Sequence, residues 1–203
     1  MNKLILILIF SLFFSQGYGQ KKENGEIVKI KGTIINFLKW YRLDQIVDTA
    51  KQVDSGIKYH PIIVWKQIDT LIKVNIDMKA VESYLVHLRS SNCLSESFIN
   101  DLRQYHQKIA DEIELVKPFP AREGEFAIPG LNLDPIFGFE PEDILDHIKK
   151  GRFTKINIIY DKAIVKFDIT NINQYIFTLT KVDNRWLIDY YGLDRTNIDR
   201  IIK

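Results

Sequence analysis

A single cysteine among 203 residues leaves no partner for an internal disulfide, so the fold must rest on its core alone. Cys93 adjoins Leu94 and is read as a small buried apolar residue, with pairing to another molecule as the alternative. Charge of one sign is also missing. Setting Lys3 aside from the 28 basic residues leaves 27 against 26 acidic ones. A nucleic-acid binder displaces counterions with a clear basic excess, and that driving force is absent here. The four histidines, His60, His87, His106 and His147, contain no i, i+4 pair and no HExxH, so no helical metal site is spelled out. Neither a glycine-rich phosphate loop nor a Ser-His-Asp or Cys-His order stands out. No cofactor and no metal are expected.

Only one long apolar run exists, over residues 4–14, preceded by Lys3 and followed by Gly17-Tyr18-Gly19. It is about half the roughly 20 residues that a membrane span needs. A positive start, a short apolar stretch and small residues before a cut at Gln20 make up the layout of a secretory leader. Residues 1–19 are therefore expected to be a signal peptide, and residues 20–203 a single exported domain, periplasmic or secreted, with no membrane span after the leader is removed. Gln20 stands where a lipoprotein would carry its cysteine.

Within the domain, Ile27, Ile30, Ile34, Phe37, Leu38 and Tyr41 draw one stripe along a helix, with Lys29, Lys31 and Lys39 off it and facing water. Lys39-Trp40-Tyr41 is expected to close that helix. Residues 48–68 are ambiguous, with turn signals at Asp54-Ser55-Gly56 and His60-Pro61. Ile72, Val74 and Ile76 alternate with polar residues as a short strand or extended arm. Asp77 then caps a helix bearing Val81, Tyr84, Leu85 and Leu88. Ser95 caps a longer one, with Leu94 and Ile99 as a hydrophobic staple and Phe98, Leu102, Tyr105, Ile109, Ile113 and Val116 on its stripe. That helix ends before Pro118 and Pro120. Five of the six prolines crowd into residues 117–141, an apolar, irregular loop expected to lie against the domain, and a short helix follows to Lys150.

The last third changes its period from 3.6 to 2. Four strands are expected, with Ile156, Ile158 and Tyr160, then Ala163, Val165, Phe167 and Ile169, then Tyr175, Phe177 and Leu179, then Trp186, Ile188 and Tyr190 each sharing a face. Asp183-Asn184 is a hairpin signal. Helices first and an antiparallel meander last give an α+β fold with N-terminal helices packed on a C-terminal four-stranded sheet. Phe37-Leu38-Lys39-Trp40-Tyr41, residues 84–109 and the ending Lys181-Val182-Asp183-Asn184-Arg185-Trp186-Leu187-Ile188-Asp189 resemble an uncharacterised exported family of Bacteroidota within the NTF2-like, or cystatin-like, superfamily. The resemblance implies a curved roll with a cone between sheet and helices. Its motifs are packing and turn residues, which carry fold and little function.

NTF2-like enzymes of the ketosteroid isomerase and scytalone dehydratase kind place an acid or histidine in that cone. The residues of this chain that match the role are His106, Asp168 and Asp189. His106 flanks the long helix's apolar stripe and is read as a hydrogen-bonded interior histidine, with a catalytic base as the alternative. Strand alternation turns Asp168 and Asp189 outward, toward solvent. Asp134, Glu140, Glu142, Asp143 and Asp146 form an acidic cluster, read as a solvated helix start in preference to a calcium site. Trp40, Tyr41, Tyr160, Tyr175, Trp186 and Tyr190 are core by period and are the candidates to line a ligand pocket. The function expected is a non-enzymatic binding domain for a small-molecule or protein ligand. Its alternatives are an envelope immunity or inhibitor protein using the loop at residues 120–139, and a small-molecule lyase or isomerase using the cone.

Overall fold

The computed structural model describes residues 24–54, 62–120, 134, 136–137, 141–169 and 174–193, without the side chains of 44–54, 143 and 193. The expected leader, the His60-Pro61 turn, Glu140 and most of the loop at 117–141 lie outside these residues.

Helix α1 (Gly25–Asp54) runs on past Tyr41 to Asp54, because no glycine or proline interrupts the chain between Tyr41 and Gly56. Strands β1 (Ile63–Ile68) and β2 (Leu71–Ile76) form a hairpin whose turn places Asp69 at φ 53°. Helix α2 (Met78–Arg89) starts at Asp77, whose carboxylate accepts from the N–H groups of Lys79 and Ala80. Helix α3 (Glu96–Glu114) starts at Ser95, whose hydroxyl oxygen accepts from Phe98 N–H. Strand β3 (Phe119–Pro120) pairs with β2, and the short helix α4 (Glu142–Leu145) and a 3₁₀ turn (Ile148–Lys150) lead into the second sheet. That sheet is the antiparallel meander β4 (Arg152–Ile159), β5 (Lys162–Asp168), β6 (Gln174–Val182) and β7 (Arg185–Leu193), in sequence order. The fold is α+β, with its four-stranded sheet C-terminal.

The main core lies between the inner face of this sheet and the helices. Ile30, Ile34, Phe37, Leu38 and Tyr41 of α1 are buried together with Val165, Phe167, Phe177, Leu179 and Ile188. Each fully buried side chain of this size is worth about 1.5–3 kcal/mol. Gly151 makes room for this packing: a Cβ there would stand 2.0 Å from the Phe167 ring. A second, smaller core joins the β1–β2–β3 sheet to the far half of α3 through Val74, Ile109 and Ile113. The link between α2 and α3 is stitched to the free edge of β7, with Ile188 N–H donating to Cys93 O and Ser95 N–H donating to Ile188 O.

Two details depart from the expected periodicity. At β6–β7 the pairing steps from Leu179–Ile188 to Thr178–Tyr190, leaving Asp189 as an extra residue. Past this bulge Tyr191 opposes Phe177 and is buried, whereas Tyr190 turns outward and is 57% exposed. Tyr190 therefore leaves the face of Trp186 and Ile188. Tyr160, expected in a strand, occupies the turn after β4 at φ 55° and is 95% exposed. Tyr105 also leaves the buried stripe of α3, its place taken by Ile99 and His106.

Two glycine replacements should act with opposite sign. Gly151→Ala should cost about 1–3 kcal/mol by forcing the Phe167 ring out of the core. Gly32→Ala, at a helical position where a Cβ meets nothing within 4 Å, should gain up to about 1 kcal/mol. Urea midpoints measure both.

Candidate functional site

Described residues form an open groove of about 530 Å³ along the first turns of α1. Lys29, Gly32, Thr33 and Asn36 line one wall, at the i, i+3, i+4, i+7 spacing that puts them on a single helical face. This face lies beside the apolar stripe of α1, so burying one positions the other. The opposite wall is the β6–β7 hairpin, with Asn184, Arg185 and Trp186; the α2–α3 turn closes the floor with Ser91, Asn92 and Cys93. Asn92, Asp183 and Asn184 adopt positive φ, which short polar side chains tolerate.

A four-member clamp fixes the two walls. Glu26 accepts from Trp186 Nε1 at 2.8 Å and from Lys181 Nζ at 2.7 Å on one oxygen, and from Lys29 Nζ at 3.1 Å on the other. Lys181, then Trp186, then Lys29 hold the Glu26 carboxyl down at about 2. Lys29 also reaches Asn184 Oδ1 at 3.4 Å, and Thr33 donates to Trp186 O at 3.0 Å. Arg185 forms no ion pair among the described residues, and Asn36 makes no hydrogen bond there. Burial pushes the Cys93 thiol up, against the pull of Arg185, so the floor of the groove is neutral near pH 7.

The pocket candidates separate. Trp186 is buried at the groove, with Lys181 Nζ 5.8 Å from its ring centroid. Tyr41 and Tyr175 belong to a second cluster, in the main core between α1 and the four-stranded sheet. There the Tyr41 hydroxyl donates to Asp134 Oδ2 at 2.6 Å, while Asp134 Oδ1 accepts from the N–H groups of Ile136 and Phe137. Tyr175 stacks on Tyr191 at 5.6 Å, and Tyr191 meets the edge of Phe137 at 4.9 Å. Asp134 is thus a part-buried latch that ties the N–H groups of Ile136 and Phe137 to Tyr41, and not a member of a solvated acidic cluster. Burial raises its pKa, opposed by Tyr41 and the two N–H groups. Asp146 of the same cluster pairs with Arg42 at 3.0 Å. Trp40 packs half-buried between Phe37 and His87, while Tyr160 and Tyr190 lie on the surface, away from both places.

The three acid–base candidates are not brought together. His106 is fully buried, and its Nδ1 stands 2.7 Å from Leu102 O. A carbonyl only accepts, so Nδ1 carries the proton and Nε2 is a bare lone pair, without a partner, beside Tyr84 and Tyr105. Burial lowers its pKa despite that hydrogen bond. Asp168, expected in solvent, is 8% exposed with Oδ1 unpartnered. It does sit on the outer face, opposite Arg152 and Gln174, but alternation decides the face and not whether that face is covered. Asp189 is also on the outer face, accepting from the Thr180 hydroxyl and pairing with Lys162 at 3.5 Å. Among the described residues no three His, Cys, Asp or Glu side chains converge as metal ligands, and no helix is long and apolar enough to cross a membrane. The chain matches no protein-family model, no curated protein and no solved structure.

Sequence reasoning passed over the groove because it assigned Lys29 to water. A glycine amid Lys29, Thr33 and Asn36, at helical spacing, was the available signal. Asp134-Pro135, a turn-initiating pair, was the signal for the latch.

Two pH responses follow from these environments. Because the Glu26 carboxyl is held down, its contribution to stability is complete above the ordinary value of 4.5 and is lost as pH falls through about 2. The Trp186 indole N–H resonance should stay constant from neutral pH to about 3 and move only below it. His106 acts at higher pH. Its lowered pKa makes the unfolded chain take up a proton first, so stability falls as pH drops below about 6.5. Urea titrations of His106→Leu should show that slope removed.

Proposed function

We propose that this chain is an exported, non-catalytic binding domain that takes a small polar ligand in the groove between α1 and the β6–β7 hairpin. One observation carries the reading: unspent hydrogen-bonding groups of α1 and the hairpin face each other across an open concavity large enough for a small molecule. Export rests on the leader-like residues 1–19. Helices packed on one face of a C-terminal meander support the NTF2-like roll as its architecture. In the cone, where a lyase or isomerase of such a roll would work, Phe37, Phe167, Phe177 and Leu179 are fully buried against one another and the Asp134 carboxylate is already closed by three donors.

A protein partner, as for an envelope inhibitor, is favoured by a different surface. On the outer sheet face Ile164, Thr178 and Tyr190 form one cross-strand row with Ile164 and Tyr190 exposed, and Lys155 stands directly opposite Lys166 in the next. Amide NMR of the full domain against a panel of small polar compounds separates these readings. The binding-domain reading expects shifts at Lys29, Asn36, Asn184 and Arg185 and at the Trp186 indole, with the compound recovered chemically unchanged. Conversion of the compound, or shifts gathered instead around Asp134 and Tyr41, would overturn it.

A further inference from the structure

We infer that the groove selects an organic oxyanion, anchored by Arg185 and Lys29; the inference rests on the binding-domain reading above and names the ligand class for that same groove. The argument is an account of which hydrogen-bonding groups are already used. Around the groove, Asn184 Oδ1 is taken by Lys29, the Thr33 hydroxyl donates to main-chain carbonyls, and Ser91 Oγ accepts from Cys93 N–H. Asn92 Nδ2 donates to Ser90 O. Among the described residues, what is left over leans toward donors: the whole Arg185 guanidinium, Asn36 Nδ2 and the remaining proton of Lys29, against the side-chain carbonyl oxygens of Asn36 and Asn92 as acceptors. A concavity with surplus donors is satisfied by a ligand rich in acceptors, and a planar guanidinium fits a carboxylate or phosphate through two parallel bonds.

Charge points the same way. Glu26 is the acid that adjoins this wall, and its two oxygens are already engaged by Lys181, Trp186 and Lys29. It therefore holds Lys29 in place, and Arg185 at the rim has no ion pair among the described residues. Asp183, in the hairpin turn, is an exposed residue outside the lining. The buried Cys93 thiol adds no negative charge at the floor.

Gly32 is the independent sign that the space itself is used. A glycine inside a helix costs about 1 kcal/mol relative to alanine. A Cβ at Gly32 would meet nothing within 4 Å, so no packing demand explains the glycine. Its missing side chain is what leaves room between Lys29 and Asn36 for a ligand's body. Oxygen atoms of that body then meet the Asn36 amide while its anionic end lies on Arg185.

Succinate, inorganic phosphate and the neutral isostere succinamide, titrated into the full domain and followed by amide NMR at low and moderate salt, test this. Succinate or phosphate should saturate shifts at Arg185, Lys29 and Asn36, with affinity falling as salt is raised. Whichever of the two binds more tightly identifies the ligand's anionic group as carboxylate or phosphate. Arg185→Ala, at an exposed hairpin position, should weaken binding about tenfold to a hundredfold. Arg185→Lys should restore part of it, and Gly32→Gln should block it while leaving the urea midpoint at or above the wild-type value. Succinamide binding at these residues as tightly as succinate would overturn the anion assignment and leave the groove as a neutral-ligand site. Silence of all three probes there would overturn the anion assignment too, while other polar compounds that still shift the groove would preserve the binding-domain reading.

Discussion

Helix α1 must present two different stripes at once, and this constraint organises the molecule. Ile30, Ile34, Phe37, Leu38 and Tyr41 enter the core against the inner face of the meander. A rotation of the helix that relieved any of them would expose apolar surface at a cost of several kcal/mol. The polar face carrying Lys29, Gly32, Thr33 and Asn36 is thereby held against the hairpin with no freedom of its own. Core packing thus sets the position of the helical wall of the groove.

The Glu26 clamp adds direction to that packing. Hydrophobic burial orients the helix but is indifferent to small sliding motions, whereas the bonds from Trp186 and Lys181 to one carboxylate set the axial position of the first turn. Opposite it, the Tyr41–Asp134 bond sets the other end of the same buried stripe. Between these two polar contacts lies the closely packed interior. Polar groups at the margins thus select one arrangement among those that the apolar residues would accept. Among the described residues, the buried atoms His106 Nε2, Asp168 Oδ1 and Tyr191 Oη have no partner and stand outside this pattern.

Much of the fold was legible because it is written in local chemistry. Asp77 and Ser95 cap their helices as their positions imply, and Asp183-Asn184 makes the hairpin with both residues at positive φ. Ala163, Val165 and Phe167, like Tyr175, Phe177 and Leu179, are buried as alternation requires. Alternation failed where one extra residue entered the pairing: the bulge at Asp189 exchanged the roles of Tyr190 and Tyr191, and no residue in that stretch announces it. At Asp168 alternation gives the face correctly, but the residue is 8% exposed, and burial of an outward position is not something alternation addresses. The groove was only half legible. Its α1 wall has helical spacing, but the placement of Arg185 and Asn92 opposite that wall follows from the stitching of the α2–α3 link to β7, which joins residues about 90 positions apart.

Native-state hydrogen exchange tests the central claim, that α1 and the meander form one cooperative unit. The account predicts that amides of Phe37, Leu38 and Tyr41 exchange with the same free energy as those of Phe177 and Leu179, through global unfolding alone. Release of the α1 amides at distinctly lower free energy, with the strands still protected, would contradict it.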